Sequence, residues 1–326
     1  MRKLFAAIVG LAMLTSVPAS AAETVTIWVG GGKGFERYAA AIAPYLGKHL
    51  PGNPTIITKS MKGGGGSKML NYLTSQAPKD GTEIGMMNFA GTYAQAYGYK
   101  NVKFDLNKMS MLASVDAWDD QFWITHKNSG IDSVEKLKQG FKAGASGKTS
   151  GYYQFAVIVK NLLNVPNGKV IPGYNSGTAG IVKAMEQKEV DSFSATPLSA
   201  LKRFTKLDNV NLLFYWGKQR YPSYPNVPTV YEVTDKKDHA VIDWLIGFIP
   251  TARVFLTPPG LSDQKVKELR TAFDALSKDP AFLANLKKVK LGLTYASGEE
   301  LQKIAYYLTT GGGDPSIIAR AQQLAK

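Results

Sequence analysis

Val25-Thr26-Ile27-Trp28-Val29-Gly30-Gly31-Gly32-Lys33-Gly34-Phe35-Glu36-Arg37-Tyr38 is the stretch on which the fold turns. Residues 25–29 alternate as a strand does, and the chain then enters a glycine run. Beyond it, Phe35, Tyr38, Ile42, Tyr45 and Leu46 recur at helical spacing until Pro51-Gly52 stops the helix. Strand, glycine loop and helix in that order form the repeating unit of an α/β sheet.

The unit recurs. Residues 55–58 read as a strand, Gly63 to Gly66 as its loop, and Ser67 as the N-cap of a helix bearing Met69, Leu70, Tyr72 and Leu73. Pro78-Lys79-Asp80-Gly81 is a turn before a strand over 84–88. Further on, strands are predicted over 122–125, 141–144, 169–171, 190–193 and 254–256, and helices over 133–139, 152–163 and 179–188. Val266, Leu269, Phe273 and Leu276 mark a later helix, and Phe282, Leu283 and Leu286 a shorter one. The reading is two α/β lobes, each with a mainly parallel sheet. Roughly 300 residues beyond the leader exceed one ordinary core, which also favours two lobes.

The first 22 residues read as a secretory signal peptide. Arg2 and Lys3 precede eleven largely apolar residues, 4–14, then Pro18 and the small residues Ala19, Ser20, Ala21 and Ala22. Eleven residues are too few to cross a bilayer as a helix. Cleavage is expected after Ala21 or Ala22, which places the mature protein in the periplasm. Losing Arg2 and Lys3 lowers the net charge from +14 to +12. The chain has no cysteine, so disulfides, thiol chemistry and a lipid anchor are excluded. No basic run suits nucleic acid. The excess charge reads as a generally basic surface, or as a funnel for small anions.

Four glycine- or hydroxyl-rich loops follow predicted strands and open helices: 30–34, 63–67, 146–151 and 173–178. In an open α/β sheet this is where ligands bind. The first amides of a helix lack internal partners and present a positive dipole end to an anion. Ser67, Ser146, Thr149, Ser150, Ser176 and Thr178 add hydroxyls. The loops favour a carboxylate clamp over plain turn geometry. Gly144-Ala145-Ser146-Gly147-Lys148-Thr149 is not a P-loop, because its first glycine position is Lys142. Gly30 and Gly32 do not open a dinucleotide fingerprint, whose last glycine place is Phe35.

Catalytic signals are weak. His49, His126 and His239 are scattered without metal spacing, and no G-x-S-x-G elbow occurs. Asp116 and the adjacent Asp119 and Asp120 read as loop residues. Trp118, Tyr152 and Tyr174 are core by default, with pocket walls as the alternative. Arg253 is read as a buried pairing partner before a ligand counter-charge. No metal and no cofactor are expected, and the protein is read as no enzyme.

The order of motifs resembles the Bug-type extracytoplasmic receptors of the tripartite tricarboxylate transporters. The resemblance covers the glycine run through Phe35-Glu36-Arg37-Tyr38-Ala39, His49-Leu50-Pro51-Gly52-Asn53-Pro54-Thr55 and the run from Gly63 to Gly66. Ala77-Pro78-Lys79-Asp80-Gly81-Thr82 resembles the family's A-P-x-D-G-[YT]. Gly173-Tyr174-Asn175-Ser176-Gly177, Val227-Pro228-Thr229-Val230, Pro258-Pro259-Gly260 and Lys278-Asp279-Pro280-Ala281-Phe282-Leu283 continue it.

This resemblance implies a two-lobed periplasmic binding protein of type II, the Venus-flytrap kind, with a cleft between lobes and two crossovers, near Trp123 and Ile249. Lobe one would comprise 23–123 and 250–326, and lobe two 124–249. A ligand carboxylate would be held by Gly32, Gly34, Phe35, Gly64, Gly65, Ser67 and Asn88 from lobe one. Lobe two would supply Ser146, Thr149, Ser150, Tyr174, Ser176, Gly177 and Thr178. Lys33 and Lys62 depart from the family pattern. Lys33 would meet a second carboxylate or pair with Glu36, and Lys62 would face ligand or solvent. The implied partners are a small organic carboxylate, either a di- or tricarboxylate or an aromatic acid, and membrane transporter subunits, with the receptor a monomer. The alternatives are a ligand sensor signalling to a membrane kinase and, more remotely, a periplasmic hydrolase.

Overall fold

A computed structural model describes residues 23–326 apart from 89, 149, 175 and 250. The proposed leader and Thr149 therefore lie outside the described residues. The chain opens with β1 (Thr24–Val29), α1 (Lys33–Leu46), β2 (Thr55–Ser60), α2 (Ser67–Ser75), β3 (Glu83–Met87), α3 (Ala90–Ala96) and β4 (Met111–Ser114). It continues through β5 (Gln121–His126), α4 (Val134–Gln139), β6 (Phe141–Ala145), α5 (Gly151–Leu162), β7 (Gly168–Pro172), α6 (Thr178–Glu186), β8 (Ser192–Pro197), α7 (Leu198–Leu201) and β9 (Val210–Tyr215). It closes with α8 (His239–Ile246), β10 (Val254–Leu256), α9 (Asp263–Leu276), α10 (Pro280–Lys288), β11 (Ala296–Ser297), α11 (Gly298–Thr310) and α12 (Pro315–Leu324).

The strands form two sheets. The first has the order β11-β4-β10-β3-β1-β2 and the second β7-β6-β8-β5-β9. β1 runs parallel to β2 and β3, and β6 runs parallel to β7 and β8. Each sheet departs from the expected parallel pattern at the strand where the chain changes sheets. β5 lies antiparallel between β8 and β9, and β10 antiparallel between β3 and β4. Gln121 already pairs with Pro197, so the outward connection is residues 115–120. It runs against the returning connection: the Ala252 amide donates to the Asp116 carbonyl at 2.7 Å, and the Trp118 amide to the Ile249 carbonyl at 2.9 Å.

α1 buries Phe35, Tyr38, Ala39, Ile42 and Leu46, the stripe that its sequence presents, against one face of the first sheet. α9 and α10 complete that layer through Phe273 and Phe282. On the second sheet, α6 and α7 cover one face through Ile181, Met185 and Leu201. The remaining faces share a single apolar core. It includes Met69 and Leu70 of α2, Tyr93 of α3, Phe155 and Ile158 of α5, Trp244 of α8, Leu308 of α11 and Leu324 of α12. Among the described residues no helix is long and apolar enough to cross a membrane.

Candidate functional site

The loops after β1, β2, β6 and β7 all leave carboxyl ends of parallel strands. Gly32 is the N-cap of α1 and Gly177 that of α6, and neither offers a side-chain cap. α2 begins likewise at Gly66. By contrast α4, α9, α10, α11 and α12 start on serine or aspartate caps that accept from the helix's own first amides. Glycine starts thus leave the first amides of α1, α2 and α6 without a side-chain cap from the preceding residue.

In the second loop Gly63, Gly64, Gly65 and Gly66 have φ of 138°, 55°, 62° and 100°. Only glycine adopts such a run without strain, which explains the sequence better than close ligand approach does. The expectation that Ser67 caps α2 is corrected here. Ser67 already has helical angles, because the left-handed Gly66 makes the turn before it. Its hydroxyl is freed from capping. Ser67 is 1% exposed, and its Oγ has no hydrogen-bond partner among the described residues.

Ser150 takes the cap role in the third loop. It donates to the Gly147 carbonyl at 2.7 Å and accepts from the Tyr153 amide at 3.3 Å, so its hydroxyl holds the loop together. Ser146 is half-buried at the end of β6. In the fourth loop Tyr174 donates to the Glu189 carboxylate at 3.2 Å, which draws the phenol along α6. Ser176 is exposed, and Thr178 hydrogen-bonds the phenol of Tyr152, whose ring packs on Phe193 at 4.6 Å. Burial pushes the Tyr152 phenol up. The third and fourth loops are joined through that pair.

The first and second loops are joined by charge. Lys62 reaches Glu36 at 2.7 Å, and this bond holds the Glu36 carboxyl below its usual range. Glu36 is therefore the partner of Lys62, while Lys33 has no ion pair among the described residues. Phe35 is buried, its ring edge-on to Trp118 at 6.4 Å. Arg253 lies over Tyr38 at 4.2 Å and Phe35 at 5.2 Å and contacts the Asp116 carboxylate. Burial draws its pKa down to about 10, so it stays charged at neutral pH. Arg253 is thus a pairing partner at the crossovers, as its sequence setting suggested. Its Nη2 would stand 3.3 Å from a Cβ placed on Gly34.

Asn88 ends β3 at half-burial, just ahead of α3. Beyond α3, Tyr99 bonds Gln154 of α5 while the Asn101 amide lies beside Gly64, so one short segment touches loops of both lobes. Sequence reading missed this segment. The signal available was Gln154, a glutamine inside an otherwise apolar and aromatic helical run. Asp120, read from the sequence as a loop residue, is half-buried: its carboxylate accepts from the Ser199 amide at 2.7 Å and its pKa is pushed up by burial. Among the described residues no group of three or more His, Asp or Glu side chains is placed to hold a metal.

The arrangement offers helix-end amides and hydroxyls from two lobes, suited to an anion with acceptors at both ends. The family described as "Tripartite tricarboxylate transporter family receptor" matches residues 42–309. A UPF0065 protein of Bordetella pertussis is 24% identical over 243 residues, covering 71% of this chain and 69% of its own length. Two Rhodopseudomonas palustris structures share the fold. One, MatC with bound malate, has a TM-score of 0.65 at 19% identity, covering 93% of this chain and 99% of its own. The other, with adipate, has a TM-score of 0.66 at 16% identity, covering 92% and 97%. The two sheets, the paired crossovers and the family match over most of the length make this chain a member of the tripartite tricarboxylate transporter receptor family, periplasmic solute-binding proteins of two-lobed α/β fold.

Proposed function

We propose that this protein is exported, loses residues 1–22, and captures a small dicarboxylate between its lobes for delivery to the membrane subunits of a tripartite transporter. It acts by binding and release rather than by turnover. The lobes, read from the sequence as 23–123 with 250–326 and 124–249, part at residues 115–120 rather than at Trp123, because β5 from Gln121 already belongs to the second sheet. They close by a hinge at the two paired crossovers.

One observation carries this reading. Helices α1, α2 and α6, drawn from both lobes, start at glycines without a side-chain cap beside the loops, whereas α4, α9, α10, α11 and α12 are capped by serine or aspartate. Uncapped helix ends recognise a carboxylate without burying a cation, and avoid the desolvation that an arginine there would suffer. Malate in one structural relative and adipate in another mark the size range. Two clusters of donors, one per lobe, suit a ligand with a carboxylate at each end.

Isothermal titration of the mature protein with malate, adipate and their dimethyl esters tests it. Binding of a diacid near micromolar, about −8 kcal/mol, with no binding of its ester is the expected result. A folded protein that binds no anion in a wider panel of dicarboxylates, tricarboxylates and aromatic acids would sink the proposal.

A further inference from the structure

Gln154 sits one turn into α5 with 3% exposure, in a helix whose other buried side chains are apolar. Its Nε2 donates to the Lys148 carbonyl at 2.9 Å and contacts the Tyr99 hydroxyl at 2.5 Å. Its Oε1 is buried with no hydrogen-bond partner among the described residues. The orientation of this amide follows from chemistry. A carbonyl can only accept, so the nitrogen must face Lys148, and both its hydrogens are then engaged. Lys148 belongs to the loop after β6, and Tyr99 follows α3 of the first lobe. One side-chain amide therefore ties a ligand loop of the second lobe to a segment of the first.

The loop gains from this in a definite way. A peptide carbonyl left free in an anion-binding loop turns its negative end on the ligand. Engaged by Gln154, the Lys148 carbonyl is drawn to the helix instead. The unpaired Oε1 makes the arrangement costly to hold, since a buried acceptor without a donor loses its hydration and gains nothing in return. An apolar residue would serve packing at this place without that cost. The glutamine's use lies in its two donor bonds.

We propose that Gln154 is a positioning residue: without touching ligand, it holds the loop 146–150 in its anion-accepting shape, and Tyr99 of the opposite lobe fixes the amide that does so. The inference rests on the carboxylate-capture reading. Affinity then depends on a pair that spans the lobes, so the loop is in register only when the lobes meet at α3 and α5.

The test combines two readouts on Gln154→Leu, Tyr99→Phe and the double variant. The first is amide hydrogen exchange of 146–150 without ligand. The second is titration with malate and adipate. Gln154→Leu is expected to speed exchange in the loop at least tenfold and weaken the bound diacid at least tenfold. Tyr99→Phe gives a smaller loss, about three- to tenfold, and the double variant is no worse than Gln154→Leu alone. Independent, additive losses, or unchanged loop exchange in Gln154→Leu, would overturn the proposal. So would faster exchange with unchanged affinity. Should Gln154→Leu not fold, Tyr99→Phe carries both readouts. If the wild type binds neither acid, the titration uses whichever anion of the wider panel it binds; binding none of them fails the capture reading, while loop exchange still reports whether Gln154 orders the loop.

Discussion

Ser67 carries a hydroxyl that is almost wholly buried yet hydrogen-bonded to nothing among the described residues. An unsatisfied buried group lowers stability, so removing it is neutral or favourable. Ser67→Ala is expected to leave the urea midpoint unchanged or slightly raised while weakening the diacid about tenfold in titration. A parallel loss of stability and affinity would mean that the hydroxyl serves the fold. Arg253 and Asp116 behave in the opposite manner. Their pairing is largely buried beneath Phe35, Tyr38 and Trp118. Removing one partner strands a charge, and about 3–5 kcal/mol is the usual consequence. Asp116→Ala should therefore destabilise more than the Asp116→Ala/Arg253→Met double variant, in denaturant melts at neutral pH. Both residues stand in the sequence without a motif around them. Arg253 was legible as a buried partner because apolar neighbours flank it, but Asp116 was not, since its partner lies far along the chain.

Helix starts show how far local sequence reaches. The strand–loop–helix units around β1, β2, β6 and β7 could be read from periodicity and glycine, because each closes within a few residues. β4, β9 and the helices α3, α8, α11 and α12 escaped that reading. Their burial is set by distant elements: α12 packs on α5 and α8, and β4 lies between β10 and β11. The second loop was placed correctly but explained differently. Its glycines answer to positive φ, so Gly66→Ala, at φ 100°, is expected to cost about 1–3 kcal/mol. Gly65→Asn at φ 62° should cost less, because asparagine tolerates the left-handed region. Equal losses in thermal melts would contradict this. The loop after β9 offers a pH test. Arg220 and then the Thr229 amide hold Glu232 at about 2, below its ordinary 4.5. Such a depressed carboxylate stabilises the fold above about 4.5, and the benefit is lost as pH falls toward 2. Both partners are largely exposed, so solvent screens the effect. The stability gap between wild type and Glu232→Gln should be present at pH 6 and narrow steadily as pH falls from about 4.5 toward 2. A gap that stays constant over that range would refute the assignment.

At the scale of the molecule the two lobes are not independent bodies on a string. Tyr93 of α3 meets Trp244 at 5.0 Å, Phe248 at 5.6 Å and Phe155 of α5 at 6.3 Å, and its hydroxyl donates to the Leu245 carbonyl at 2.5 Å. α12 returns to this junction, where the Asn161 amide donates to the Leu324 carbonyl and Gln322 to that of Ala96. The hinge proposed at the paired crossovers therefore has a packed aromatic joint beside it, joining α3 to α5 and α8. Packed cores transmit strain rather than absorb it, so this joint should make the lobes unfold together. Tyr93→Phe removes one buried hydrogen bond and should cost about 1–2 kcal/mol with the single transition intact. Tyr93→Ala opens a cavity among four aromatic rings, at about 3–5 kcal/mol, and removes the contact through which each lobe supports the other. Its denaturant curve is expected to split, with the near-ultraviolet signal of the Trp123 and Trp216 lobe parting from the helical signal of the whole. Coincident transitions in Tyr93→Ala would show that the crossovers, around Arg253 and Asp116, couple the lobes without the aromatic joint.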